Sequence, residues 1–143
     1  MPRANRSPPA KDEPPTPPRR TAAQRRGAWG EDAAAAHVRA RGAMVLERNA
    51  RSPWGEVDLV VLDRGVIAMC EVKTRRVCPF VSGRDAVGPR KRERLARTAL
   101  HVLADRGVDQ GRVPCRFDVI EVLPGPSGAE VTWLKDAFQV DLQ

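Results

Sequence analysis

The chain has 143 residues and a formal net charge of +7 at pH 7, with 25 Lys and Arg against 18 Asp and Glu. This length predicts one folded domain that buries its core without disulfides. The three cysteines form no C-x-x-C pair, and no apolar run is long enough for a membrane span or a signal peptide. We therefore expect a reduced, cytoplasmic protein without a membrane partner.

The N-terminal residues 1–20 contain seven prolines and almost no large apolar side chains. A segment of this composition cannot bury enough apolar surface to offset its loss of conformational entropy. We therefore predict a disordered arm rich in Pro and Arg over residues 1–20, and a folded domain over residues 21–143.

A first helix is predicted to begin at Thr21, which has capping-box spacing to Gln24. It runs to about Arg41, with Gly42 as its C-terminal stop. Its inward face is formed by residues at helical spacing, most of them small: Gly27, Glu31, Ala34, Ala35 and Val38. On this face Glu31 is either a site residue or a solvated carboxylate that the helix dipole stabilises.

Three strands are predicted after this helix. Residues 43–50 form the first strand, residues 52–54 turn the chain, and residues 55–75 form a hairpin of two apolar strands. The hairpin turn has Arg64 and Gly65 as its two central residues, and this turn fixes the pairing of the strands that it joins.

The predicted hairpin carries charged residues that a buried hairpin does not need. Its register places Asp58 opposite Glu71 and Glu56 opposite Lys73, and alternation places each strand's two charged residues on one face. Two directly opposed carboxylates destabilise a sheet by up to about 1 kcal/mol. A divalent cation would remove this repulsion, because hard cations prefer carboxylate oxygens. We therefore expect Asp58 and Glu71, with Glu31 from the helix, to bind Mg²⁺ or Mn²⁺.

Lys73 is the fourth candidate catalytic residue, beside Glu31, Asp58 and Glu71. It is one of only four lysines among 25 basic residues, and its compact ammonium suits a site where a guanidinium would crowd a metal. The four residues together predict metal-assisted phosphodiester hydrolysis. In this chemistry the metal acidifies a water, and Lys73 orients that water or stabilises the developing charge. The alternative is an ordinary Glu-Lys pair on a half-exposed strand.

The remaining elements complete an α/β fold. A second helix is predicted over residues 90–105, and two further strands over residues 113–123 and 131–138. The order helix, three strands, helix, strand, strand allows a crossover, and it predicts a central mixed sheet flanked by helices. Arg116 and Asp118 share one strand face and predict an internal ion pair.

A basic segment follows the hairpin, with nine basic and two acidic residues over residues 73–97. A basic stripe beside a metal site suits a bound polyanion, which we expect to be DNA. The alternative is a solvated helix face. The candidate nucleic-acid-binding residues are Arg75, Arg76, Arg90, Lys91 and Arg94. The tryptophans Trp29, Trp54 and Trp133 can stack on bases, with packing as the alternative for each.

Several short motifs follow one another along the chain in a specific order: Gly30-Glu31, Arg48-Asn49, residues 55–59, residues 71–75, Lys91, residues 116–120 and Ala137-Phe138. Over residues 25–138 they resemble the YraN-like family of bacterial proteins. That family is similar to the PD-(D/E)xK nuclease superfamily, particularly the archaeal-type Holliday junction resolvases. The resemblance implies a restriction-endonuclease-like fold, with Glu31, Asp58, Glu71 and Lys73 at the metal and catalytic positions. Val57 stands where the superfamily has proline, and the Asp ligand is kept.

The leading hypothesis is therefore a metal-dependent DNA endonuclease that hydrolyses phosphodiester bonds. The resemblance implies branched or otherwise structured DNA as its substrate. One alternative is a non-catalytic nucleic-acid-binding module that retains the nuclease fold. Another is a protein-interaction scaffold that uses the arginine-rich arm. The sequence leaves the oligomeric state open, a homodimer included.

Overall fold

The computed structural model describes residues 18–75, 88–140 and 142. Its elements are α1 (Ala22–Ala40), β1 (Met44–Ser52), β2 (Gly55–Asp63), β3 (Val66–Thr74), α2 (Pro89–Asp105), β4 (Cys115–Gly125) and β5 (Gly128–Phe138). The predicted α/β class and the predicted order of elements are confirmed. The predicted arm falls almost wholly outside the described residues. No helix within the described ranges is long and apolar enough to cross a membrane.

The five strands form one mixed sheet in the order β1-β2-β3-β4-β5. Neighbouring strands are antiparallel except β3 and β4, which are parallel and are connected through α2. A parallel pair needs such a crossover connection, because the chain must return to the same end of the sheet. The helix predicted between the strands therefore produces the mixed sheet.

The first helix begins and ends as predicted. The Thr21 hydroxyl accepts a hydrogen bond from the Gln24 N–H at 3.1 Å, and the Thr21 N–H donates to Gln24 Oε1 at 2.7 Å, which completes the capping box. At the other end Gly42 has a φ of 86°, the left-handed conformation that glycine adopts without steric cost.

The β2–β3 hairpin also has its predicted turn. Arg64 and Gly65 have φ values of 50° and 83°, as a two-residue turn of type I′ requires. The observed pairs run from Asp63–Val66 to Leu59–Cys70, so the predicted register is confirmed over this stretch. The strands are longer than predicted at two other turns, since residue 52 pairs with residue 55 and residue 125 pairs with residue 128.

Each helix covers one face of the sheet. On the α1 face the core is Ala34, Ala35, Val38, Ala43, Leu59, Val61, Ala68, Cys70, Ile120 and Val122. On the α2 face it includes Val57, Val60, Met69, Leu95, Ala99, Leu103, Phe117, Val119 and Phe138. The sheet is therefore the middle layer of three, and both faces of its central strands are buried.

Gly30 rather than Gly27 makes the close approach of α1 to the sheet. A Cβ on Gly30 would lie 1.9 Å from Thr74 Oγ1, whereas a Cβ on Gly27 would have nothing within 4 Å. The prediction that Gly27 belongs to the inward face is wrong. The first buried residue of α1 is Gly30, and Gly27 is exposed.

The alternation of β2 breaks at Asp58. Val57 packs on the α2 face, whereas Leu59 packs on the α1 face. The predicted regular alternation through these residues is therefore wrong. At this point Asn49 on the neighbouring strand has a φ of 52°. Asp58 lies beside Glu31 of α1.

Candidate metal and nucleic-acid site

The candidate site lies where β2 and β3 cease to pair. The last pair between these strands is Leu59–Cys70, one step before Asp58 and Glu71. The predicted Asp58–Glu71 and Glu56–Lys73 pairs therefore both lie beyond the paired stretch. There Asp58 Oδ2 accepts a hydrogen bond of 2.8 Å from the backbone N–H of Val72. A carboxylate thus satisfies a donor of β3 and is held at the junction of the two strands.

Three carboxylates meet at this junction. One oxygen from each of Glu31, Glu56 and Asp58 lies within 4.8 Å of the other two. From β1, the side-chain amide of Asn49 donates to Glu31 Oε2 at 3.2 Å, and the Arg48 guanidinium lies 3.7 Å from the same oxygen. The group therefore includes two predicted metal ligands, Glu31 and Asp58, together with Glu56, which the sequence reasoning did not assign as a ligand.

The surroundings of Asp58 disfavour its ionised form. Burial raises the pKa of this carboxyl to about 7, and the charges of Glu71, Glu31 and Glu56 add to the effect. The hydrogen bond from the Val72 N–H acts in the opposite direction and is outweighed. Arg48 and Arg51 pair with Glu31 and Glu56 at 3.7 Å and 3.5 Å. A cation among the three carboxylates would add countercharge at Asp58, so the oxygen donors present fit Mg²⁺ or Mn²⁺.

Glu71 lies beside this group and contacts lysines. Its Oε1 forms an ion pair with Lys73 Nζ at 3.3 Å and a hydrogen-bonded ion pair with Lys91. Although burial lowers the pKa of Lys91, the contact with Glu71 raises it overall, so this ammonium stays charged. The structure thus brings all four predicted catalytic residues to one end of the hairpin. Glu71 contacts Lys73 and Lys91 and lies outside the group of three carboxylates.

Glu121 is a further charged residue at this end of the sheet. It lies opposite Lys73 in the parallel β3–β4 register, and its Oε1 is buried without a hydrogen-bond partner in the described part of the chain. Its signal in the sequence was a single carboxylate inside the otherwise apolar run of residues 119–123. Its place beside Lys73 depends on the crossover, which local pattern does not specify.

The described members of the predicted nucleic-acid-binding set lie on α2 and at the end of β3. On α2, the exposed Arg90 and Arg94 line a groove of about 410 Å³ together with Trp54, Glu93 and Arg97. Lys91 projects from the same helix to Glu71, and Arg75 follows the end of β3. Arg76 lies outside the described residues. A cationic surface therefore adjoins the carboxylate group.

The Arg116–Asp118 ion pair is confirmed as an internal contact. Asp118 is fully buried and accepts from Arg116 Nε at 2.9 Å, from Trp133 Nε1 at 2.8 Å and from the Asp136 N–H at 2.9 Å. Trp133 therefore packs within the protein, which was the alternative to base stacking for this residue. The exposed fractions of Trp29 and Trp54 are 39% and 41%, so these two rings remain open to solvent.

The fold and the site together define a small three-layer α/β protein with a lysine-flanked carboxylate cluster at one end of its sheet. The chain belongs to the uncharacterised protein family UPF0102, whose family model matches residues 30–122. This match confirms the YraN-like family that the motifs indicated, and the matched range contains every predicted catalytic residue.

Several relatives cover most of both chains. A UPF0102 protein of Syntrophotalea carbinolica is 42% identical over 115 residues, which are 80% of this chain and 92% of the relative. One from Symbiobacterium thermophilum is 46% identical over 105 residues, 73% of this chain and 87% of the relative. A third, from Chlorobaculum parvum, is 41% identical over 120 residues, 80% and 92% of the two chains.

Proposed function

We propose that this protein is a Mg²⁺- or Mn²⁺-dependent DNA endonuclease of the PD-(D/E)xK kind. The observation that carries the proposal is the meeting of Glu31, Glu56 and Asp58 within 4.8 Å at the end of the hairpin, with Glu71 and Lys73 beside them. Carboxylates of this number, placed next to a lysine on a basic protein, suit hydrolysis of a bound polyanion.

The candidate ligands are Asp58, Glu31 and Glu56, with Glu71 available if it leaves its lysines. A metal bound there supplies Lewis acidity, which acidifies a water and offsets charge on the phosphate. Asn49 and Arg48 fix the orientation of Glu31, and the Val72 N–H fixes that of Asp58. The chain thus holds its oxygen donors in place before any substrate binds.

Lys73 is the candidate for the chemical step itself. Its Nζ lies 3.3 Å from Glu71 Oε1 and its side chain is only partly buried, so the ammonium can reach a phosphate oxygen or the attacking water. There it would donate a hydrogen bond to charge that develops in the transition state. Lys91 is suited to hold Glu71 in position, because it forms the hydrogen-bonded ion pair with that carboxylate.

One observation favours the alternative of a non-catalytic nucleic-acid-binding module. Glu71 is already neutralised by Lys73 and Lys91, and a carboxylate in this state needs no metal. In such a module the lysines and the arginines of α2 would bind phosphates, and the carboxylates would only position them.

A cleavage assay on branched, flapped, single-stranded and duplex DNA with Mg²⁺ or Mn²⁺ distinguishes the two functions. We expect cleavage by the parent and a rate lower by about 100-fold or more in Lys73→Met, the scale of losing one transition-state donor. Glu71→Ala should lose cleavage as well. Lys135→Met, which removes a lysine bound to Asp63, is the matched control.

Two outcomes oppose the nuclease. If the parent cleaves no DNA form with either metal, the binding module is the better account. If Lys73→Met cleaves as fast as the parent, the activity comes from a contaminant.

A further inference from the structure

A second groove opens beside the candidate site on the α1 side of the sheet. It has a volume of about 740 Å³, within the roughly 300–1,000 Å³ range of ligand pockets. Its walls come from the first turns of α1 and from the end of β3, with Lys73 and Thr74 among the lining residues. The groove therefore borders the end of β3 that carries the candidate site.

The groove combines an aromatic surface with positive charge. Trp29 lies on its wall with 39% of its surface exposed, so part of its ring is open to the groove. Arg26, Lys73 and Arg75 also line it, and no carboxylate does. Within the described ranges neither Arg26 nor Arg75 forms an ion pair with a carboxylate.

Small residues make room in front of the tryptophan. Ala23 and Gly27 lie one turn apart on the same wall, and a Cβ on Gly27 would have nothing within 4 Å. A flat group can therefore lie along α1 next to Trp29. Gly27 thus lines this groove and does not pack against the sheet.

We infer that this groove binds an unpaired nucleotide of the DNA strand, with its base stacked on Trp29 and its phosphates held by Arg26 and Arg75. The inference rests on the proposed function and adds its substrate class. Base–aromatic stacking needs an exposed base face, which a single strand, a flap or an open junction offers and an intact duplex does not. The chain's own arm is a poor occupant, because residues 1–20 carry five basic and two acidic residues.

Binding without metal isolates this subsite from catalysis. Fluorescence anisotropy in EDTA would compare a labelled single strand, a flapped duplex and a blunt duplex. We expect Trp29→Ala to weaken single-strand and flap binding by about 5- to 150-fold, the range of one lost stack, and to change blunt-duplex binding by less than about 2-fold. Trp29→Phe should keep most of the affinity.

Trp54→Ala is the matched control, since its ring is equally exposed but lies in the α2 groove. It should leave the ratio of single-strand to duplex affinity unchanged. The inference is overturned if Trp29→Ala weakens all forms alike or none, if Trp54→Ala changes the ratio equally, or if the parent binds no unpaired DNA. Thermal unfolding of each variant checks that it is folded.

The two proposals fail separately. A parent that cleaves DNA while Trp29→Ala keeps its affinity ratio retains the nuclease and loses the subsite. A parent that never cleaves, but whose preference for unpaired DNA depends on Trp29, retains the subsite and loses the nuclease.

Discussion

Asp58 shows how the site responds to pH without metal. Its pKa is 3.8 in an ordinary setting and about 7 in the fold, chiefly because the carboxyl is buried. Between these values the folded protein binds more protons at this group than the unfolded chain does. The free energy of unfolding should therefore fall as pH rises from about 4 to about 7, by on the order of 1–4 kcal/mol, with no further change from this group at higher pH.

Urea unfolding in EDTA across this pH range measures the effect, and Asp58→Asn is the informative variant. An amide does not titrate, so the variant should lose this component of the pH dependence while other groups keep theirs. An identical pH profile in parent and variant would show that Asp58 titrates normally.

Metal binding should reverse the instability of the carboxylate group. Mg²⁺ or Mn²⁺ that binds only the folded state raises the melting temperature by mass action. The rise should be larger at pH 8 than at pH 6, because the ligands must be deprotonated. Asp58→Asn should abolish it. Glu130→Gln is the control, since it removes an exposed carboxylate of β5 outside the group; an equal response in the parent and Asp58→Asn would place the metal elsewhere.

At the scale of elements, contacts set by adjacent residues were predictable from sequence. Thr21 and Gln24 form the capping box, and Arg64 with Gly65 sets the β2–β3 register, because turn and cap chemistry act within a few residues. That register brings Asp58 and Glu71 to the same end of the hairpin, but the last pair is Leu59–Cys70, so the predicted direct pairing of the two carboxylates is not formed.

The contacts that the sequence did not reveal join residues from different elements. Glu31 is bound by Asn49 only when α1 docks on β1, and Lys91 reaches Glu71 only through the crossover. The break in alternation at Asp58 coincides with a left-handed Asn49 in the neighbouring strand, which no period-2 pattern specifies. The membership of Glu56 in the carboxylate group follows from these tertiary contacts.

The docking of α1 can be tested with two glycines of one helix. Gly30→Ala places a Cβ against Thr74, a contact too close to tolerate, and should destabilise the protein by about 1–3 kcal/mol. Gly27→Ala places its Cβ in open space and should stabilise the helix by about 0.5–1 kcal/mol. Urea unfolding measures both. Equal effects at the two positions would mean that α1 does not approach β3 at Gly30.

At the scale of the whole molecule, the crossover helix places positive charge next to the carboxylate group. Lys91 points to Glu71, while Arg90 and Arg94 lie exposed on α2 beside Trp54. Under the proposed function these carboxylates would have to approach a polyanion that they repel. A cationic surface at their side would offset this repulsion and hold the phosphate backbone near them.

Charge reversal on α2 should therefore weaken binding to every DNA form alike. Arg90→Glu combined with Arg94→Glu removes two phosphate contacts, so the salt slope of log affinity should become shallower by about 2. Arg39→Glu with Arg112→Glu changes the net charge equally at exposed sites outside α2, and it should leave the slope near that of the parent. Anisotropy titrations at several salt concentrations measure both. An affinity that does not depend on salt, or an equal loss in the two double variants, would mean that α2 is not the phosphate-binding surface.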